Sequence, residues 1–231
     1  MKKSIGIIGG MGPLATCDLM EKIINATDAI IDQDYPHIYV DCNTDIKDRT
    51  NFILNNIDNP LEELIKTAQK LEKQGAEILC MPCNTAHYFY EDIQKQINVQ
   101  LINMIESTVL YIKNKKYSKA ALLATDGTLK SSLYTKYALK YDVDILIPST
   151  EDQKLVMDLI YKGVKASNWA FNIKPFLNML NKMEDEGVEV FILGCTELPI
   201  AFKYFNIEKR IIDPTVILAI EALKEADYRI R

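Results

Sequence analysis

The chain has 231 residues, 48% apolar and 26% charged, with 27 Lys and Arg against 32 Asp and Glu for a net charge of −5. At roughly 150 residues per domain this is one large domain or two small ones, with ample apolar content for a core. No stretch approaches the roughly 18 unbroken apolar residues of a membrane helix, the composition excludes disorder, and the acidic balance argues against a nucleic-acid or anionic-membrane surface.

The run that follows Met1-Lys2-Lys3 is interrupted by Gly9, Gly10, Gly12 and Pro13 and offers no cleavage site, so a cytoplasmic protein is expected. Five cysteines, an odd number in a chain that needs no stapling, read as reduced thiols. Ser4 to Ile8 reads as a short buried strand. Gly9 to Pro13 is a turn, and Pro13 suits the first turn of a helix continuing to about Ile31. His37 to Asn43 is the next strand. Asn59-Pro60 opens a helix with Glu62 and Glu63 in its first turn, and Leu61, Leu64, Ile65, Ala68 and Leu71 share one face until Gly75. Glu77 to Cys80 is a strand that runs into Met81-Pro82-Cys83-Asn84-Thr85. Strands alternating with helices predict a parallel sheet with functional loops at the carboxyl ends of its strands.

The second half repeats the scheme. Lys119 to Thr128 reads as strand and loop, and a helix from about Phe176 ends at Gly187 before a strand at Glu189 to Leu193. Gly75 and Gly187, Glu77 and Glu189, and Cys83 and Cys195 share one offset (187 − 75 = 189 − 77 = 195 − 83 = 112), and Gly12 and Gly127 stand in nearly the same frame. A constant offset through a helix end, a strand and a loop cysteine predicts two related α/β halves. The expected architecture is two pseudo-symmetric α/β domains, each a central parallel sheet flanked by helices, with the site in the cleft between them. Residues 1–108 plus 209–231 form the domain carrying Cys83, and residues 109–208 the one carrying Cys195.

Cys80 and Cys83 have the spacing of a redox dithiol or half a zinc site. At the common offset, however, Cys80 matches Ile192, an apolar strand residue, and the chain has no second Cys-X-X-Cys and only His37 and His87 as further ligands. Cys80 is therefore expected in the core, with no metal site, and Cys17 and Cys42 are expected as small buried hydrophobes. Cys83 and Cys195 are each followed by hydrogen-bonding side chains at a helix start, whose positive end favours a usable proton acceptor. Two such thiols on opposite faces would invert a stereocentre, one removing a proton while the other delivers one. Two structural thiols related by duplication is the competing reading of the same spacing.

At these residues the chain resembles the aspartate/glutamate racemase family, and more narrowly its aspartate racemase branch. The resembling segments are Gly9 to Thr16, Asn43 to Thr50, Pro82 to His87, Tyr161 to Lys165 and Gly194 to Pro199, in order along nearly the whole chain. The loop before Arg49 departs from the family pattern, with Thr44, Asp45 and Lys47 where prolines are common. The resemblance implies a site between two α/β domains, no pyridoxal phosphate or other cofactor, no metal, and a homodimer. It implies Cys83 and Cys195 as catalytic acid/base thiols. Asn84, Thr85 and Thr196 would hold the α-amino and α-carboxylate groups, with Thr125 and the Gly10-Met11-Gly12 loop. Arg49 and Lys165 would grip a distal carboxylate, and that pair makes an acidic amino acid the expected partner. Asp48 and Glu197 are candidates for orienting or tuning the thiols, and His87 for a structural cap.

The expected activity is racemisation of aspartate. Glutamate, a broader amino-acid range, and a cysteine-dependent dicarboxylate isomerase are the alternatives within the superfamily, and a non-catalytic amino-acid-binding protein is the alternative outside it. Dinucleotide binding fits less well, because the acid expected about 20 residues after the glycine loop is absent; Asp41 comes 29 residues after Gly12 (41 − 12).

Overall fold

The structure is a computed structural model that describes residues 2–231. Met1, which opens the first expected domain, lies outside the described residues. The first half runs β1 (Ile5–Gly9), α1 (Pro13–Ala26), β2 (Ile38–Cys42), α2 (Arg49–Asn55), α3 (Leu61–Gln74), β3 (Ile78–Cys80), α4 (Tyr90–Gln94) and β4 (Gln100–Leu101). After α5 (Met104–Lys115) come β5 (Ala120–Ala124), α6 (Asp126–Ser131), α7 (Leu133–Tyr141), β6 (Ile145–Leu146) and α8 (Thr150–Asp158). The chain ends with α9 (Lys174–Asp185), β7 (Val190–Gly194), α10 (Leu198–Tyr204), β8 (Ile211–Ile212) and α11 (Pro214–Glu225). Every strand pair is parallel, and the two sheets have the same order, β2-β1-β3-β4 and β6-β5-β7-β8. The duplication inferred from the offset is thus a duplication of topology.

It extends to single hydrogen bonds. The Glu77 carboxylate accepts from Ser4 N at 2.9 Å and that of Glu189 from Ser118 N at 2.8 Å, each tying the start of a central strand to its neighbour. Gly75 and Gly187 both take a left-handed φ, 107° and 91°, which turns α3 and α9 into the strands that follow. Each turn then closes with the same bond, Ala76 N to Leu71 O and Val188 N to Met183 O.

Alternating strand residues feed opposite layers. Ile5, Ile7, Ile78 and Cys80 pack under α1 and α11, while Ile8 and Leu79 pack against Leu64, Ala68 and Leu71 of α3. Burying one such leucine stabilises the fold by about 1.5–3 kcal/mol. In the second half Leu122, Val190 and Ile192 meet α5 and α7, and Leu123, Phe191 and Leu193 meet α8, α9 and α10. Two helices belong to both halves. Met104 of α5 and Leu218 of α11 join the first core, whereas Ile105 and Ile217, one residue along in the first case and one back in the second, join the second core.

Several expectations need correction. The 209–231 segment divides: α11 packs on α1, but β8 is the edge strand of the second sheet, because Phe191 N bonds to Arg210 O and draws the chain onto β7. The first helix stops at Ala26 rather than near Ile31, since Thr27 turns extended and bridges Ile230. Asp126 to Thr128 is helical rather than loop, with the Thr125 side chain capping α6 by accepting from Thr128 N. Cys17 and Cys42 are exposed, not buried. Ala15, Thr16, Leu19 and Ile23 take the inward face of α1, leaving Cys17 outside, and Cys42 ends an edge strand. Cys80 is in the core, where burial pushes its thiol up to about 12.

Candidate active site

The carboxyl ends of β1, β3, β5 and β7 deliver loops to one pocket between the halves, of about 310 Å³ including its mouth. Met11, Asp48, Arg49, Cys83, Asn84 and Thr85 line it from the first half, and Thr125, Lys165, Cys195, Thr196 and Glu197 from the second. Eleven of the thirteen expected site residues therefore meet in one place. Gly10 and Gly12 do not line it. Gly10 instead packs on the backbone of Asn43, where a Cβ would lie 2.1 Å from the carbonyl oxygen. Thr50, Tyr161 and Gly194 line the pocket as well.

Cys83 and Cys195 are both buried, and their surroundings differ. The Cys195 thiol donates to Glu197 Oε2 at 2.9 Å, the Thr196 hydroxyl to the same oxygen at 3.3 Å, and Glu197 Oε1 lies 3.4 Å from Lys165 Nζ. Burial, reinforced by the charge and hydrogen bond of Glu197, holds the Cys195 thiol well above its ordinary value. Cys195 is thus held in its protonated form. Burial works against the Lys165 charge, but Glu197 and Cys195 outweigh it and raise the ammonium.

A cation stands beside the other thiol. Burial opposes the charge on Arg49, yet the neighbouring Cys83, together with Asp48 and Glu197, keeps the guanidinium above its ordinary value. Arg49 Nη2 donates to Met11 O at 3.2 Å and Nη1 to Lys47 O at 3.0 Å, which fixes the fork. Asp48 caps α2 by accepting from Asn51 N, so Arg49 starts the helix from a set position. In the departing loop the Asn43 side chain accepts from Asp45 N at 3.0 Å, an Asx turn in place of the usual prolines.

Two buried donors in this pocket have no partner among the described residues: Arg49 Nε and Asn84 Nδ2. Buried N–H groups left unpaired are costly, so a pocket that holds two of them, with Lys165 close by, is built for an anionic acceptor such as a carboxylate. The hydroxyls of Thr85, Thr125 and Thr128 form a closed triangle with sides of 2.9–3.1 Å across the cleft.

Lys165 ends a segment, Leu159–Lys165, where α8 widens into a π-helix. Such widening is frequent at functional sites. Tyr161, on the same segment, faces the pocket that Thr50 also lines and carries Lys165 Nζ 5.2 Å above its ring. Its spacing of four residues from Lys165 is a signal available in the sequence; Thr128 has none.

His87 does not reach the pocket wall. Its Nε2 accepts from Met104 N at 3.2 Å, so Nδ1 bears the proton and donates to Cys83 O at 2.8 Å. Burial lowers it to about 4, and it serves as a neutral strut between the Cys83 turn and α5. Among the described residues no group of three or more His, Cys, Asp or Glu is arranged to hold a metal ion, and no helix is long and apolar enough to cross a membrane.

A family model described as Asp/Glu/Hydantoin racemase matches residues 8–222. The chain is 31% identical over 221 residues to a broad specificity amino-acid racemase, RacX, of Bacillus subtilis (strain 168), covering 93% of this chain and 94% of that protein. It superposes on the aspartate racemase of Picrophilus torridus with a TM-score of 0.87 and 31% identity over 99% of this chain and 96% of the other. A glutamate racemase of Francisella tularensis, solved with D-glutamate, shares the fold at a TM-score of 0.66 and 17% identity, covering 98% of this chain and 82% of the other.

Proposed function

For a chain that belongs to the Asp/Glu/Hydantoin racemase family, we propose cofactor-independent racemisation of an acidic amino acid, aspartate before glutamate, by proton transfer between two thiols. The observation that carries the proposal is the pairing of two buried cysteines from equivalent loops with two unpartnered N–H donors in one pocket. In one direction Cys83 takes the α-proton and the Cys195 thiol returns one from the opposite face; in the other the roles exchange. Asn84 Nδ2 and the Arg49 fork receive the substrate's carboxylates, and the Lys165 ammonium adds charge at the distal one. Negative charge developing at the α-carbon is stabilised by these fixed donors in a narrow pocket that excludes water. A neutral side chain would leave Arg49 Nε unpartnered and Lys165 with Glu197 alone, a penalty that favours dicarboxylic amino acids.

Broad specificity is the second reading, favoured by the likeness to the Bacillus subtilis racemase. One experiment separates the two. Purified protein is incubated in D₂O under reducing conditions with L-aspartate, then L-glutamate, then neutral amino acids, and followed by proton NMR and chiral chromatography. Loss of the α-proton signal with appearance of the D-enantiomer for aspartate, and none for neutral substrates, supports the proposal. Comparable turnover of neutral amino acids favours the second reading. Undiminished racemisation by Cys83→Ala or Cys195→Ala refutes the two-thiol scheme.

A further inference from the structure

Asn84 can present either its oxygen or its nitrogen to the pocket, and a buried residue far along the chain decides which. Tyr134, on α7 of the second half and 1% exposed, donates its phenolic proton to Asn84 Oδ1 at 2.7 Å. The oxygen is thereby occupied, and Nδ2, with no other partner, is left to the pocket beside Cys83. A half-turn of the amide would put Nδ2 on the phenol and aim the carbonyl oxygen at the place where an anionic ligand must sit, replacing attraction with repulsion.

We infer that Tyr134 is a positioning residue for the substrate carboxylate, acting across the cleft by locking the Asn84 amide with its two donors toward the pocket. The inference rests on the racemase reading. It also gives the cleft a register: the bond joins the Cys83 loop of one half to α7 of the other, so the amide is aimed only while the halves are seated. Burial holds the phenol above its ordinary value, and it remains a donor at every working pH. Tyr137, one turn along α7, supplies the internal control, because its hydroxyl accepts from Asn103 Nδ2 at 2.7 Å rather than from a group in the pocket.

The test is steady-state kinetics with aspartate in both directions on the wild type, Tyr134→Phe, Tyr137→Phe, Asn84→Ala and the Tyr134→Phe/Asn84→Ala double variant. Loss of one buried hydrogen bond that orients a ligand donor predicts a rise of about tenfold in KM for Tyr134→Phe, with kcat changed by less than about threefold. Tyr137→Phe is expected to leave KM unchanged, and the double variant to match Asn84→Ala, because Tyr134 acts only through that amide. An unmoved KM in folded Tyr134→Phe, an equal rise in Tyr137→Phe, or additive losses in the double variant overturns the inference while the racemase reading stands. A wild type with no turnover of any amino acid overturns both. Should Tyr134→Phe fail to fold, Asn84→Asp takes its place: it keeps an acceptor for the phenol but offers the pocket an oxygen in place of the amide donors, so KM is expected to rise about tenfold or more, and an unmoved KM there refutes the proposal.

Discussion

Acidification is expected to loosen the Cys83 turn through His87. The imidazole is 2% exposed, is held neutral between Met104 N and Cys83 O, and is pushed by burial from 6.5 down to about 4. Because the unfolded chain binds the proton more readily, the contribution of His87 to stability is complete above pH 6.5 and is lost as the pH falls toward 4. At 1.36 kcal/mol per pH unit the gap is worth about 3 kcal/mol, most of which is gone by pH 4.5. Asp34, Glu62, Glu106 and Glu189 are held below their ordinary 3.8 or 4.5. Their contributions are present above those values and fade only as the pH falls through them, so the interval from 6.5 to 4.5 belongs to the histidine. Urea unfolding followed by far-ultraviolet circular dichroism at half-unit steps measures the slope. His87→Gln is expected to cost about 2 kcal/mol at pH 7.5, through two strained or lost bonds, and to flatten the slope between 6.5 and 4.5. A wild type whose stability is level across that interval, or a variant that keeps the wild-type slope, refutes the reasoning.

Glu197→Gln removes the charge that, after burial, does most to hold the Cys195 thiol up. The alkaline limb of kcat/KM against pH is then expected to move to lower pH, and a limb that stays in place counts against Cys195 as the proton donor. Arg49→Lys keeps a charge but loses the fork and the unpartnered Nε, so kcat/KM for aspartate should fall about 10- to 100-fold by steady-state assay. Gly127→Ala would set a Cβ 2.9 Å from the Thr50 Cα, where α6 meets α2 across the cleft. Thermal unfolding should show a loss of about 1–3 kcal/mol, with activity reduced because Thr50 and Arg49 begin the same helix.

Local chemistry made the scaffold readable. Gly75 and Gly187 mark equivalent helix ends, Glu77 and Glu189 equivalent strand starts, and their common offset exposes the duplication without any alignment. The resemblance then singled out eleven residues that the fold gathers into one pocket. What escaped depends on long-range packing. Tyr134 is 50 residues from Asn84 and looks like any apolar helix residue. Thr128 joins Thr85 only because α6 crosses to the first half. Cys17 was misplaced for the complementary reason: its helix buries a different face, which composition alone does not reveal. Strand β8 was misassigned because two residues of pairing decide its sheet.

Pseudo-symmetry alone would give a poor racemase of the proposed kind, since identical surroundings would leave both thiols in the same protonation state. Turnover needs one proton on the pair and the other site ready to accept. The departures from symmetry fall where that difference is made. At the offset of 112, Glu197 stands opposite Thr85 (197 − 85). Glu197 accepts from Cys195, whereas the Thr85 hydroxyl turns away into the Thr125 and Thr128 triangle and leaves Cys83 to Arg49. One thiol therefore faces a carboxylate and the other a guanidinium. The duplicated sheets bring the two sulfurs to one pocket; the unduplicated neighbours give them different starting roles. Exchanging those neighbours, with Thr85→Glu and Glu197→Thr together, is accordingly expected to leave the fold intact by circular dichroism but to lower activity, because Lys165, the cation left beside Cys195, lacks the fork with which Arg49 stands by Cys83.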